Sequence, residues 1–203
     1  MTSIYEELIV KLSQAETTDP AVEALAAEGD GALEELAAAM LDEGRPVRVR
    51  EICAVLLGEI VPRGIDRLLD ILEHAQGEEA DLAAWGLRWG HDESRKEAIL
   101  FGRLGHESSR VRANAARALR YIHVDLTTCD PRLIAALRDP DPSVRLDALR
   151  TMTHLAEAGL ANYDITHWAP VRAAALEGAS GTDAAIREAA IELLSHLEGR
   201  STP

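Results

Sequence analysis

Three triplets of residues share one spacing along this chain: Asn114, Arg117 and Tyr121, then Asp147, Arg150 and His154, then Ala189, Glu192 and His196. Steps of three and four residues put each triplet on one face of an α-helix. With the three helices side by side at about 10 Å, Arg117 comes beside Arg150, and Tyr121 beside His154 and His196. A stripe of arginine, tyrosine and histidine suits an anionic or acidic segment, through charge-assisted hydrogen bonds and rigid aromatic area. The plainer alternative is arginines solvated on helix surfaces and paired with acids such as Asp147. Trp85 and Trp89 form a second candidate, one helical turn apart on a single aromatic patch. Such a pair either packs beneath an irregular stretch or offers a partner a platform.

Catalytic handles are missing. The sequence has no HExxH, no GxSxG, no Walker or Rossmann glycine pattern and no CxxC, so metal hydrolysis, acyl transfer and nucleotide chemistry lack their usual residues, and no catalytic residue, cofactor or metal is expected. His74, His91, His106, His123 and His167 fall at segment ends, where hydrogen bonding at helix C-termini or the surface explains them. Cys53 occupies a small-residue core position, and Cys129 precedes Pro131 in a loop. Two such separated cysteines fit free thiols in a reducing compartment.

The 203 residues are 47% hydrophobic, which supports a substantial core, and they carry a formal net charge of −14. That acidity argues against broad attraction to nucleic acid or anionic membranes. No apolar run reaches the roughly 20 residues of a membrane span, and the start shows no secretory signal, so a cytoplasmic location is the expectation. Charge is uneven: residues 1–44 hold eleven acids and one lysine, whereas residues 45–122 hold thirteen basic and twelve acidic residues. An acidic amino end either keeps stacked copies apart or docks a basic partner.

The elements that position these residues repeat. Alanine and leucine make up about thirty per cent of the chain, and apolar residues recur at helical spacing. Val111-Arg112-x-x-Ala115-x-x-x-Leu119-x-x-Ile122 is matched from Val144 and Arg145 through Ala148, Met152 and Leu155. It is matched again from Ile186 and Arg187 through Ala190, Leu194 and Leu197, and earlier from Val49 and Arg50 through Cys53, Leu57 and Ile60. A degenerate copy falls at Asp81, Ala84 and Trp85, which makes the spacings between arginine slots 31, 31, 33 and 42. An amphipathic segment precedes each copy, at 33–42, 65–75, 95–104, 132–138 and 168–177, so the unit is a helical hairpin. Asp141, Asp183 and Ser108, four residues before an arginine, are expected to cap the second helices. Pairing of Asp141 with Arg145 would add about 0.3–0.5 kcal/mol.

The stretch Asp-Pro-Asp-Pro-Ser-Val-Arg-x-x-Ala, residues 139–148, resembles the HEAT-repeat family, and more closely its short bacterial HEAT-like form. The resemblance implies an all-α fold: a right-handed α-solenoid of about five HEAT-like hairpins, with second helices on the concave face. One domain over 1–203 is expected, with cap helices at 1–29, repeats at 30–198 and a tail at 199–203. Asp81 in the arginine slot and the long fifth unit are departures from the pattern.

In function this reads as a non-enzymatic solenoid that binds a protein or peptide, as an adaptor, a regulator or an inhibitor of immunity type. The partner-binding set is Trp85, Trp89, Asn114, Arg117, Tyr121, Asp147, Arg150, His154, Glu192 and His196. The partner is either an acidic segment on the Arg117 and Arg150 stripe or a basic one at the amino end. Alternatives implied by the resemblance are an alkylpurine DNA glycosylase, for which Trp85, Trp89, Asp147 and Arg150 offer residue types, and a bilin-lyase-like protein. A monomer is expected, because acidic residues from Glu6 to Glu28 repel like ends and the final helix, with Ile191, Leu193 and Leu197, reads as covered.

The repeat frame makes a direct stability prediction. Ala148 belongs to a tight helix contact, so Ala148→Leu is expected to cost about 1–3 kcal/mol by overpacking. Arg150→Ala, on the outward face, is expected to cost less than about 0.5 kcal/mol. Denaturant melts that gave equal effects would show the frame to be misassigned.

Overall fold

The computed structural model describes residues 29–122, 131–159 and 168–198, and within them every regular element is a helix. Five hairpins follow one another: α1 (Asp30–Leu41) and α2 (Val47–Glu59), α3 (Arg63–His74) and α4 (Gly77–Gly86), α5 (Glu93–Arg103) and α6 (Ser109–Ala118), α7 (Pro131–Ala136) and α8 (Pro142–Gly159), and α9 (Ala169–Ala179) and α10 (Ala184–Glu198). These are the five units of the sequence repeat. The expected cap helices, the tail, Cys129, His123 and His167 lie outside the described residues.

Contacts divide the chain into two compact units, with the division after Lys96 inside α5. In the amino-terminal unit α1 packs beside α3 and α2 beside α4. In the carboxyl-terminal unit α7 packs beside α9, α6 beside α8, and α8 beside α10. First helices stack on first helices and second on second, which is the arrangement of an α-solenoid. A single hairpin leaves its apolar stripe exposed, and stacking is what buries it.

The core follows the repeat. Cys53, Ala84, Ala115, Ala148 and Ala190, the small residue of each unit, are all 1% exposed or less. Burial pushes the Cys53 thiol up to about 12, against the opposing charge of Arg45, so it is inert. Glycine adds a closer contact in the amino-terminal unit. A Cβ at Gly58 would stand 2.2 Å from the carbonyl oxygen of Gly86, and one at Gly86 2.7 Å from that of Ala54. Backbone therefore meets backbone between α2 and α4. Gly90, at φ +75°, continues this seam, where a Cβ would fall 2.1 Å from the Gly58 oxygen.

Three local expectations change. Ser108 makes no side-chain cap on α6; its backbone N–H donates to His106 Nδ1 instead, at 3.1 Å. Asp141 does cap α8, accepting from Ser143 N at 2.9 Å, but Arg145 turns to backbone carbonyls of the preceding loop rather than to Asp141. The last hairpin leaves Leu176 43% and Ile191 55% exposed, so the expected cover of the final helix does not reach them.

The glycine seam predicts a matched pair of outcomes. Gly58→Ala is expected to destabilise the protein by about 1–3 kcal/mol, because the new methyl group forces two helix backbones apart. Gly102→Ala, on α5 with nothing within 4 Å of its Cβ position, is expected to stabilise by about 0.4–1 kcal/mol through lost unfolded-state freedom. Urea melts of both variants check the difference in sign.

Candidate functional site

All members of the triplets but Tyr121, which lies in the turn just past the end of α6, are on second helices, and they take different places. The first residue of each is buried: Asn114 is 4%, Asp147 3% and Ala189 5% exposed. This corrects their expected place off the core. On α8 the position faces the neighbouring second helix, as Thr151 one turn beyond Asp147 shows by donating to the Ala116 carbonyl across the α6–α8 seam at 2.7 Å. Arg117 is held by Asp147 with both edges of its guanidinium, Nε to Oδ1 at 3.3 Å and Nη2 to Oδ2 at 3.0 Å. Arg120 reaches the same carboxylate at 3.5 Å and stands 5.9 Å over the Tyr121 ring. The α6–α8 junction is thus two arginines sharing one buried carboxylate, not a bare stripe.

Further along α8, Arg150 and His154 stand one turn apart, both exposed and without a hydrogen bond or ion pair to the described residues. On α10, Glu192 is exposed, and half-buried His196 meets Glu157 of α8, Nε2 to Oε1 at 3.2 Å. In the amino-terminal unit Trp85 and Trp89 pack edge to face, ring centroids 5.9 Å apart at 76°. Trp85 is half-buried and Trp89 37% exposed, whereas Trp168, in the other unit, is buried.

Sequence reading missed a buried cation. Lys96 is 0% exposed, and its Nζ lies 2.9 Å from the Leu87 oxygen, 3.2 Å from that of Gly90, 3.4 Å from that of Trp89 and 2.9 Å from Glu93 Oε1. The ammonium closes the carbonyl end that follows α4. A lone lysine inside an amphipathic segment carries no pattern that announces this role.

The repeated arginine, by contrast, works as a tie between chain segments. Arg50, 2% exposed, donates through Nε to the Met40 carbonyl at 2.8 Å and through Nη1 to Glu78 at 2.9 Å. Arg112 donates through Nη1 to the carbonyls of His106 and Glu107 at 2.8 and 2.9 Å, and through Nε and Nη2 to Asp139 at 2.7 and 2.8 Å. Arg145 donates to the carbonyls of Asp139 and Pro140 at 2.7 and 3.0 Å, and Arg187 to that of Gly181 at 3.3 Å. The unit with Asp81 in this slot has the shortest hairpin turn, residues 75–76 alone, which leaves no loop of carbonyls for an arginine to gather. Between the fourth and fifth turns a half-open groove of about 490 Å3 is lined by Arg138, Asp139, Arg145, Glu177, Gly181 and Asp183, among others.

Hydrogen bonds lower three acids: Asp139, Asp141 and, through Arg138, Glu177. The Arg112 guanidinium beside Asp139 holds its carboxyl below the usual carboxylate range. Hydrogen bonds from Ser143 and Ser109 pull Asp141 down to about 2. No group of three or more histidine, cysteine or acidic residues among the described residues is arranged to hold a metal ion. No described helix is long and apolar enough to cross a membrane.

No protein-family model and no curated protein matches this chain. Among solved structures it is similar to two engineered proteins, each 20% identical, over 98% of this chain and 98% and 100% of theirs, with TM-scores of 0.48 and 0.47. It is also similar to a designed armadillo repeat protein, 15% identical over 94% of this chain and 98% of that one, with a TM-score of 0.42.

Asp139 and Asp141 set a pH dependence. Both are more acidic folded than unfolded, so each contributes stability above the unfolded value of about 3.9, and loses it as pH falls through the folded value. For Asp141 that loss runs down to about 2. The urea midpoint is expected to drop between pH 5 and 2, and to drop less in Asp139→Asn and Asp141→Asn, which already lack the charge. Melts at a series of pH values check this, and variants that followed the wild-type slope would contradict it.

Proposed function

We propose that this chain is a HEAT-like scaffold without catalytic activity, which holds a protein or peptide partner on the second-helix face of its carboxyl-terminal unit. The observation that supports this reading is the state of α8. Asp147 is spent on Arg117 and Arg120, while Arg150 and His154 beyond it are exposed and make no hydrogen bond to the described residues. Free donors on a helix fixed by packing on both sides are preorganised for a partner's acceptors. Arg120 and Tyr121, in the turn past the end of α6, flank them on one side, and Glu192 and His196 of α10 on the other, so the face runs from basic and aromatic to acidic. An adaptor, a regulator and an inhibitor all work by such a contact. The edge-to-face pair of Trp85 and Trp89 gives the amino-terminal unit its own aromatic contact surface.

Capture from extracts of the native host on immobilised protein tests the reading. Arg150→Glu combined with His154→Ala is expected to lower recovery of the bound protein at least tenfold, with the melting temperature unchanged. Equal recovery would remove this face from consideration.

A further inference from the structure

Arg112 and Arg145 occupy equivalent positions in consecutive hairpins, and the first half of their bonding is the same. Each uses Nη1 to gather the two carbonyls six and five residues before it, in its own hairpin turn. The second half differs. Arg112 turns its other edge, Nε and Nη2, to the two oxygens of Asp139. Asp139 is the residue six positions before the next arginine, Arg145. The corresponding residue six positions before Arg187 is Gly181, which has no side chain to offer. Nε and Nη2 of half-buried Arg145 accordingly make no hydrogen bond among the described residues. The groove of about 490 Å3 opens at this place, with both Arg145 and Gly181 in its lining.

We propose that this groove binds a carboxylate, which sits on Nε and Nη2 of Arg145 as the Asp139 carboxylate sits on Arg112, and that its bearer is an acidic side chain of a peptide. The guanidinium is already fixed by the two carbonyls on its Nη1, so little side-chain freedom is lost when its free edge takes two oxygens. The acids of the groove do not compete for it. Asp139 is bound by Arg112, Glu177 by Arg138 at 2.8 and 2.7 Å, and Asp183 by the backbone N–H groups of Ala185 and Ile186 at 3.0 and 3.1 Å. A peptide rather than a free small acid fits the shape, because a half-open groove encloses too little of a small molecule to bury most of its surface. An extended segment along the hairpin turns needs no such enclosure. The site lies at the amino end of α8, on the turn edge, and does not depend on the second-helix face.

Titration of the 15N-labelled protein tests this, with the Nε–H resonance of Arg145 as the readout, assigned by its loss in Arg145→Lys. The probes are an acetylated, amidated hexaglutamate peptide, its hexaglutamine counterpart, and succinate. The glutamate peptide is expected to shift the resonance saturably, the glutamine peptide to leave it in place, and succinate to bind at least tenfold more weakly. Gly181→Asp supplies the missing carboxylate from within and is expected to weaken peptide binding at least tenfold. Arg145→Lys keeps the charge and a donor for the turn but not the two-pronged edge, and is expected to weaken binding similarly by calorimetry. Arg150→Glu is expected to leave this affinity unchanged. Absence of a saturable shift, or full affinity in both Gly181→Asp and Arg145→Lys, overturns the site. Succinate binding as tightly as the peptide overturns the assignment to a peptide, and loss of affinity in Arg150→Glu would move the peptide to the second-helix face.

Discussion

A helical hairpin has a loop of backbone carbonyls at its turn that no helix can satisfy, and in this chain a side chain from the second helix reaches back to do so. Arg112, Arg145 and Arg187 each donate to a carbonyl six residues earlier, and Arg50 to the end of α1. The bond fixes the angle between the two helices of a hairpin at its narrow end, and the small residue three positions later lets the next helix come close. Where the guanidinium has a second edge to spend, it reaches the following unit: Arg50 to Glu78, Arg112 to Asp139. Intra-hairpin closure and inter-hairpin stacking are thus carried by one residue type at one position.

That economy is why the architecture was legible. A charged residue recurring at nearly fixed spacing among alanines and leucines is a stronger signal than hydrophobicity, and all five hairpins fall where it puts them. Asp81 breaks the series because its turn is only two residues long, a reason that the spacing alone does not contain. The bonding partners were less legible. An Asp–Arg pair four apart looks like a local ion pair, yet Arg145 finds carbonyls closer to its reach than Asp141. Ser108 has the right type for a cap, but its side chain does not cap α6.

The candidate face was readable in part for a related reason. Counting offsets from the arginine places residues on a helix, and that much holds for Arg117, Arg150 and Glu192. It does not say which of those residues a neighbouring second helix covers. Stacking brings that helix close, and Asp147 is consumed by it through Arg117 and Arg120, while Asn114 and Ala189 are buried as well. Gly58 and Gly86 were invisible for the opposite reason, since their contribution is the side chain they lack. Only the distance between two backbones makes them necessary.

Lys96 gives the molecule an unusual chemical property. The chain has just two lysines, Lys11 and Lys96, against nineteen arginines, and Lys96 is sealed among three carbonyls and a carboxylate. An acylating reagent meets this amine only while the corner that follows α4 is open. Covalent labelling there becomes a clock for breathing of the fold, one whose rate reports how often that corner parts from its lysine.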